Sequence, residues 1–169
     1  MRGGALAGQG QGEAGIAHMR QGLAGWRAVG SEVGQTYYLA FLAEAYGNVG
    51  QAAEGLNILA EALAFAHTTG ERCWEAELYR LKGVLLLRLH PSSPATPEEC
   101  FRQALDIARR QQAKSLELRA AMSLARLWQQ QGQRAEAHEL LAPVYGWFTE
   151  GFDTIDLQEA KALLAELES

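Results

Sequence analysis

Arg80, Arg88, Arg119 and Arg126 are the side chains of this sequence best suited to binding chemistry. A guanidinium carries a planar fork of donors that matches a carboxylate in two bonds. The four together could clamp a carboxylate or an acidic peptide, or they could simply keep a helix face soluble. Other motifs fall short of their chemistry. "GQGEAG", Gly10 to Gly15, fits G-x-G-x-x-G, but a dinucleotide site needs a preceding strand inside a βαβ unit, and these flanks are Ala-rich and helical. No G-x-x-x-x-G-K-[ST] is present. His138-Glu139 starts like H-E-x-x-H, yet position 142 is Ala142, so a zinc helix fails. His18, His67 and His90 lie far apart, and no Ser-His-Asp constellation has a local signature. Cys73 and Cys100 form no C-x-x-C pair and read as buried or half-buried free thiols. Glu61, Glu75, Glu77 and Glu136 read as solvated helix faces. No catalytic residue, metal or cofactor is expected. Whether the arginines meet depends on the elements that carry them.

The chain has 169 residues, 48% hydrophobic and 21% charged, which suits one soluble domain. Ala and Leu dominate over β-branched residues, which favours helix. The net charge of −5, from 20 acids and 15 bases, gives no general attraction to nucleic acid or anionic lipid. No run approaches the roughly 20 apolar residues of a membrane span, and the start has no signal-peptide h-region. With two isolated cysteines, a reducing cytoplasm is the expected compartment.

The chain repeats itself. "LAEAYGNVGQAAEGL" at 42–56 and "LARLWQQQGQRAEAH" at 124–138 share Leu, Ala, an aromatic, Gly and Glu at equal offsets. Their turn glycines, Gly50 and Gly132, stand 82 residues apart, about two units of 41. Midway, Gly83 takes the small-residue place of Ala43, and a Pro/Ser loop at 91–97 replaces the glycine turn. Each unit reads as two helices. The spacing predicts helices near 32–48, behind Ser31 as N-cap, and 51–68, closed by Gly70. It further predicts helices near 115–131 and 133–147, and a last one from Asp153 or Thr154 that buries Leu157, Ala160, Leu164 and Leu167. "TPEE" predicts a capping box: Thr96 as N-cap, Pro97 at the first helical position and Glu99 three after the cap. The divisions are a partial unit at 1–30, units at 31–70, 71–113 and 114–150, and a capping helix at 153–168.

Leu42-Ala43, Tyr46, Gly50, Gly55 and Ala62, with Leu124-Ala125, Trp128, Gly132 and Ala137, and Phe101 with Ala104, resemble the tetratricopeptide repeat. The usual period is about 34 residues, and the longer period here resembles the long-helix version of bacterial signalling proteins. "YLAFLAEAYGNVGQAAEGL", "ERCWEAELYRLKG" and "YGWFTEGFDTIDLQEAKALL" are similar to the C-terminal segment of large bacterial proteins that carry a P-loop ATPase domain, often behind a class III nucleotide cyclase domain. The resemblance implies an all-α fold of antiparallel helix pairs stacked as a right-handed solenoid with a C-terminal capping helix.

It also implies that first helices line a concave surface. By offset, that surface takes Tyr37, Ala40, Glu44 and Asn48; Glu77, Arg80, Val84 and Arg88; and Arg119, Met122, Arg126 and Gln130. The aromatics Tyr46 and Trp128 are expected in the core. Trp147, Phe148 and Phe152 are expected to pin the capping helix, or alternatively to form an exposed interaction patch. The function implied is a non-catalytic protein-interaction module, the regulatory arm of a signalling ATPase or cyclase. It would bind a protein, a peptide or a domain of the parent protein, and neither nucleic acid nor membrane. The alternative is a sensor holding an anionic metabolite between the arginines. A homodimer would form through the truncated first repeat or the C-terminal cap.

Overall fold

A computed structural model describes residues 12–28, 30 and 34–169. They form eight helices: α1 Gly12–Ala28, α2 Gln35–Asn48, α3 Ala52–Thr69, α4 Glu75–Leu89, α5 Ala95–Arg110, α6 Lys114–Gln130, α7 Arg134–Gly146 and α8 Ile155–Glu168. Each packs antiparallel on the next in sequence. In addition α2 touches α4, α4 touches α6 and α6 touches α8, whereas α1, α3, α5 and α7 do not touch one another. Two layers with unequal contact make a curved stack, and α2, α4, α6 and α8 form its inner, concave layer. The array is an all-α solenoid.

Small residues set how close the layers come. Ala43, Ala62, Ala104, Ala125 and Ala137 are fully buried. A Cβ on Gly55 would stand 2.9 Å from the Ala43 carbonyl oxygen and 2.7 Å from Leu85 Cδ1, so α3 rides directly on the backbone of α2. Alanine normally gains about 1 kcal/mol over glycine inside a helix. Here the Ala43 carbonyl cannot yield without moving the α2 backbone. Gly55→Ala is therefore expected to destabilise the fold by about 1–2 kcal/mol, read from the urea midpoint. Unchanged or raised stability would show that the helices can separate freely. The turns at Gly50 and Gly132 take φ of 80° and 81°, the left-handed region that glycine enters without a Cβ penalty.

Several boundaries differ from the sequence expectation. α2 begins at Gln35 behind Gly34, and the N-cap expected at Ser31 lies outside the described residues. The capping box does not form. α5 starts at Ala95 with Pro94 at its N-cap and no side-chain cap, so Thr96, Pro97 and Glu99 lie within its first turns. The first four N–H groups of a helix have no intrahelical partner, so Pro97 fits there as well as at the first position. On α8 the buried set is Leu157, Ala160, Leu163 and Leu167, and Leu164 is only half-buried. Tyr46 is core, while Trp128 is half-buried and donates from Nε1 to Glu98 Oε1 at 3.1 Å.

Candidate functional site

The concave layer carries a trough between α2, α4 and α6, of about 360 Å³. Its floor is apolar, with Leu81, Leu85, Phe101 and Leu127 at the bottom and Val84 and Leu87 half-buried above them. Its walls are polar: Glu44, Arg80, Arg88, Ser123, Arg126 and Gln130. A second hollow of about 330 Å³ continues past Arg126 and Gln130 and is closed by Glu159, Leu163 and Glu166 of α8. The two share a wall, so the whole is an elongated trough along the inner layer.

Of the side chains expected on this face, Glu44, Arg80, Val84, Arg88, Arg126 and Gln130 line it. Asn48 borders it through Arg88, whose Nη1 and Nη2 donate to Asn48 Oδ1 at 3.4 and 3.3 Å. Tyr37 sits apart, with its ring between those of Phe41 and Trp74. Ala40 and Met122 are not surface residues: both are buried in the core, and Ser123 takes the trough position one residue on from Met122. A one-residue shift on a helix turns a side chain by about 100°, enough to exchange inside for outside.

The arginines are tied up within the chain. Arg80 holds Glu77 with two bonds, Nε to Oε2 and Nη2 to Oε1, both 2.8 Å. Arg119 donates from Nε to Asp156 Oδ2 at 2.7 Å and from Nη1 to Glu77 Oε1 at 3.4 Å. Arg126 reaches Glu159 at 2.7 Å. Glu77, expected on a solvated face, is 6% exposed. Burial disfavours the charge of Arg80, yet hydrogen bonds and the field of Glu77, with Glu44 and Asp156 adding, hold its pKa above the ordinary value. Arg119 is raised in the same way: burial opposes, and Asp156 and Glu77 outweigh it. The ligand clamp expected from four free guanidiniums is thus an interhelix ladder joining α4, α6 and α8. Sequence reading missed the acidic partners. A signal was present: Asp156 and Glu159 follow Arg119 and Arg126 by 37 and 33 residues, roughly one unit along.

At the C-terminal corner, Phe148 packs half-buried against the core that α5–α8 share. Trp147 and Phe152 do not: Trp147 is 58% exposed beside Phe148 and Lys114, and Phe152 lies on the surface against Tyr145. Cys73 is exposed, against expectation, and Cys100 is buried. Burial pushes the Cys100 thiol up, Lys82 opposes and Glu99 adds. Gly12 and Gly15 lie inside α1, so that part of "GQGEAG" is helix, while Gly10 lies outside the described residues. Among the described residues no three metal-binding side chains converge, and no helix is long and apolar enough to cross a membrane.

These features define the class: a TPR-like α-solenoid with an elongated concave trough. Two solved structures share the fold, both of nearly identical TPR-like repeats from a kinesin light chain-like protein of Podosopora anserina, one of them a single-substitution variant of the other. The variant is 20% identical to this chain with a TM-score of 0.68, and its parent 21% identical with a TM-score of 0.67. Each alignment covers 96% of this chain and 80% of that one. No family model and no curated protein matches the chain.

Proposed function

We propose that this chain is a non-catalytic protein-interaction module that holds an extended segment of a partner in the concave trough. The observation that carries the reading is the shape and lining of the trough: two hollows sharing Arg126 and Gln130, an apolar floor and polar walls. An apolar floor with a polar rim suits a peptide, which offers side chains to the floor and amides to the walls. The anionic-metabolite alternative loses its footing, because Arg80, Arg119 and Arg126 already hold carboxylates. The resemblance to the C-terminal arm of bacterial ATPase and cyclase proteins supports a regulatory role, cytoplasmic, with a domain of the parent protein as the natural partner. Self-association would use the outer face of α1 or the Trp147–Phe152 corner.

The test is selection of a random-peptide display library on the whole chain, with Gln130→Trp as the control. Gln130 is exposed where the two hollows meet, so a tryptophan there fills the trough without entering the core. Selected peptides are expected to lose about tenfold in affinity on the variant, with its helical circular dichroism unchanged. Peptides that bind both forms equally, or no enrichment at all, would retire the trough as a segment-binding site.

A further inference from the structure

The α2 end of the trough is built differently from the rest. Tyr37, Phe41 and Glu44 recur at i, i+4 and i+7 and so share one face of α2. The Tyr37 ring lies 4.6 Å from the Phe41 ring and 4.6 Å from that of Trp74, the residue that heads α4. Tyr37 and Trp74 are half-buried, but Phe41 stays 39% exposed. This aromatic cluster lies outside the trough lining and adjoins it through Phe41, three residues before Glu44 on the same helix face.

Glu44 is the next surface residue on that face, half-buried in the trough wall. Glu77, Asp156 and Glu159 on the same concave layer are each bonded to an arginine. Among the described residues Glu44 accepts no hydrogen bond and joins no ion pair. It feels the charge of Arg80, but that guanidinium is spent on Glu77. The Glu44 carboxylate stays open to solvent, so an incoming donor reaches it without displacing a bond within the chain.

We propose that Phe41 and Glu44, backed by Tyr37 and Trp74, form a subsite for a cationic side chain, arginine above all, on the segment that occupies the trough. The inference rests on the reading of the trough as a segment-binding site. The face of an aromatic ring carries negative potential and attracts a guanidinium laid over it. Phe41 is the exposed ring of the cluster, and Glu44, three residues on, takes the donors. Arginine suits the place better than lysine because its planar group stacks and forks at once. The subsite has a boundary. One turn further along α2, a Cβ on Gly47 would stand 2.8 Å from Arg88 Nη1, so Arg88 lies over the helix there. A second cation beside the first would meet Arg88 and be repelled.

The experiment uses the whole isotope-labelled chain and two small probes, Nα-acetyl-arginine methylamide and its citrulline counterpart. Citrulline keeps the planar shape and loses the charge. The arginine probe is expected to shift the Phe41 and Glu44 amides and the Trp74 indole saturably, with citrulline at least about 3-fold weaker. Glu44→Gln and Phe41→Ala should each weaken the arginine probe about 3-fold, with distant signals in α6–α8 unmoved. Equal shifts from both probes, or shifts confined to other residues, overturn the subsite. If displayed peptides depend on Gln130 but are indifferent to Glu44→Gln, the subsite falls and the trough reading stands. If the arginine probe behaves as expected and no displayed peptide depends on Gln130, the subsite stands and the trough reading falls.

Discussion

Phe101→Ala is expected to remove about 3–5 kcal/mol of stability. Phe101 is 1% exposed and packs with Leu124 and Leu127 below the trough. On its other side it fills the space that Gly83 leaves: a Cβ there would stand 2.5 Å from Phe101 Cε1 and 2.8 Å from Cδ1. The ring thus occupies one void bounded by α4, α5 and α6. On the Gly83 side no side chain can collapse into it, because the facing residue has none. In a repeat array each unit is coupled mainly to its neighbours. The loss therefore falls on the joint between the front and rear of the solenoid. Urea unfolding of Phe101→Ala should broaden or divide into two steps, with the α7–α8 end and the α2–α3 end melting apart. The cycle of Gly83→Ala with Phe101→Leu checks the cause. Alanine at 83 overpacks against the ring but fits better beside the smaller leucine, so the double variant should be more stable than the sum of the singles. A loss under about 1 kcal/mol for Phe101→Ala, or strict additivity in the cycle, would show that ring and glycine do not share one space.

The parts of this architecture legible in the sequence are those written locally. Gly50 and Gly132 mark turns because a left-handed residue is needed there, and Ala43, Gly83 and Ala125 mark close packing because a larger residue would hold helices apart. What the sequence hid is of two kinds. One is helix register. Ser123 rather than Met122 faces the trough, because units of unequal length carry an offset imperfectly, and Leu163 rather than Leu164 is buried, because both positions fit helical spacing after Ala160. The other is pairing across units. An arginine reads as a free cation until its carboxylate is placed beside it, and the acids that hold Arg119 and Arg126 come from the helix that closes the array. The same blindness concealed what sets Glu44 apart on the concave face where the offset placed it. Its distinction is the bond it lacks, and that is visible only once every neighbour is in position.

Glu77→Ala carries the second large effect, and it separates the scaffold of the concave face from its binding function. Glu77 is shared by Arg80, in a two-bond contact, and by Arg119. Its side chain is 6% exposed and that of Arg80 15%. Removing the carboxylate leaves Arg119 with Asp156, but leaves Arg80 half-enclosed with only the Ser123 hydroxyl at 3.5 Å. Stranding one member of a buried pair costs about 3 kcal/mol, and that is the expected loss for Glu77→Ala. Removing both charges is different, since the desolvation penalty leaves with them. Glu77→Leu with Arg80→Met is expected to recover most of the stability. A double variant as unstable as Glu77→Ala would mean that the ladder itself holds the helices in place. A recovered double variant provides a folded chain whose trough has lost Arg80. Peptides selected on the natural chain then report directly. Retained affinity would mark Glu77 and Arg80 as structural, Glu77 tying α4 to Arg119 of α6 and Arg80 bonded to Glu77 and to Ser123 of α6. Affinity lost at full stability would place Arg80 in the binding surface, with Glu77 holding its guanidinium in position.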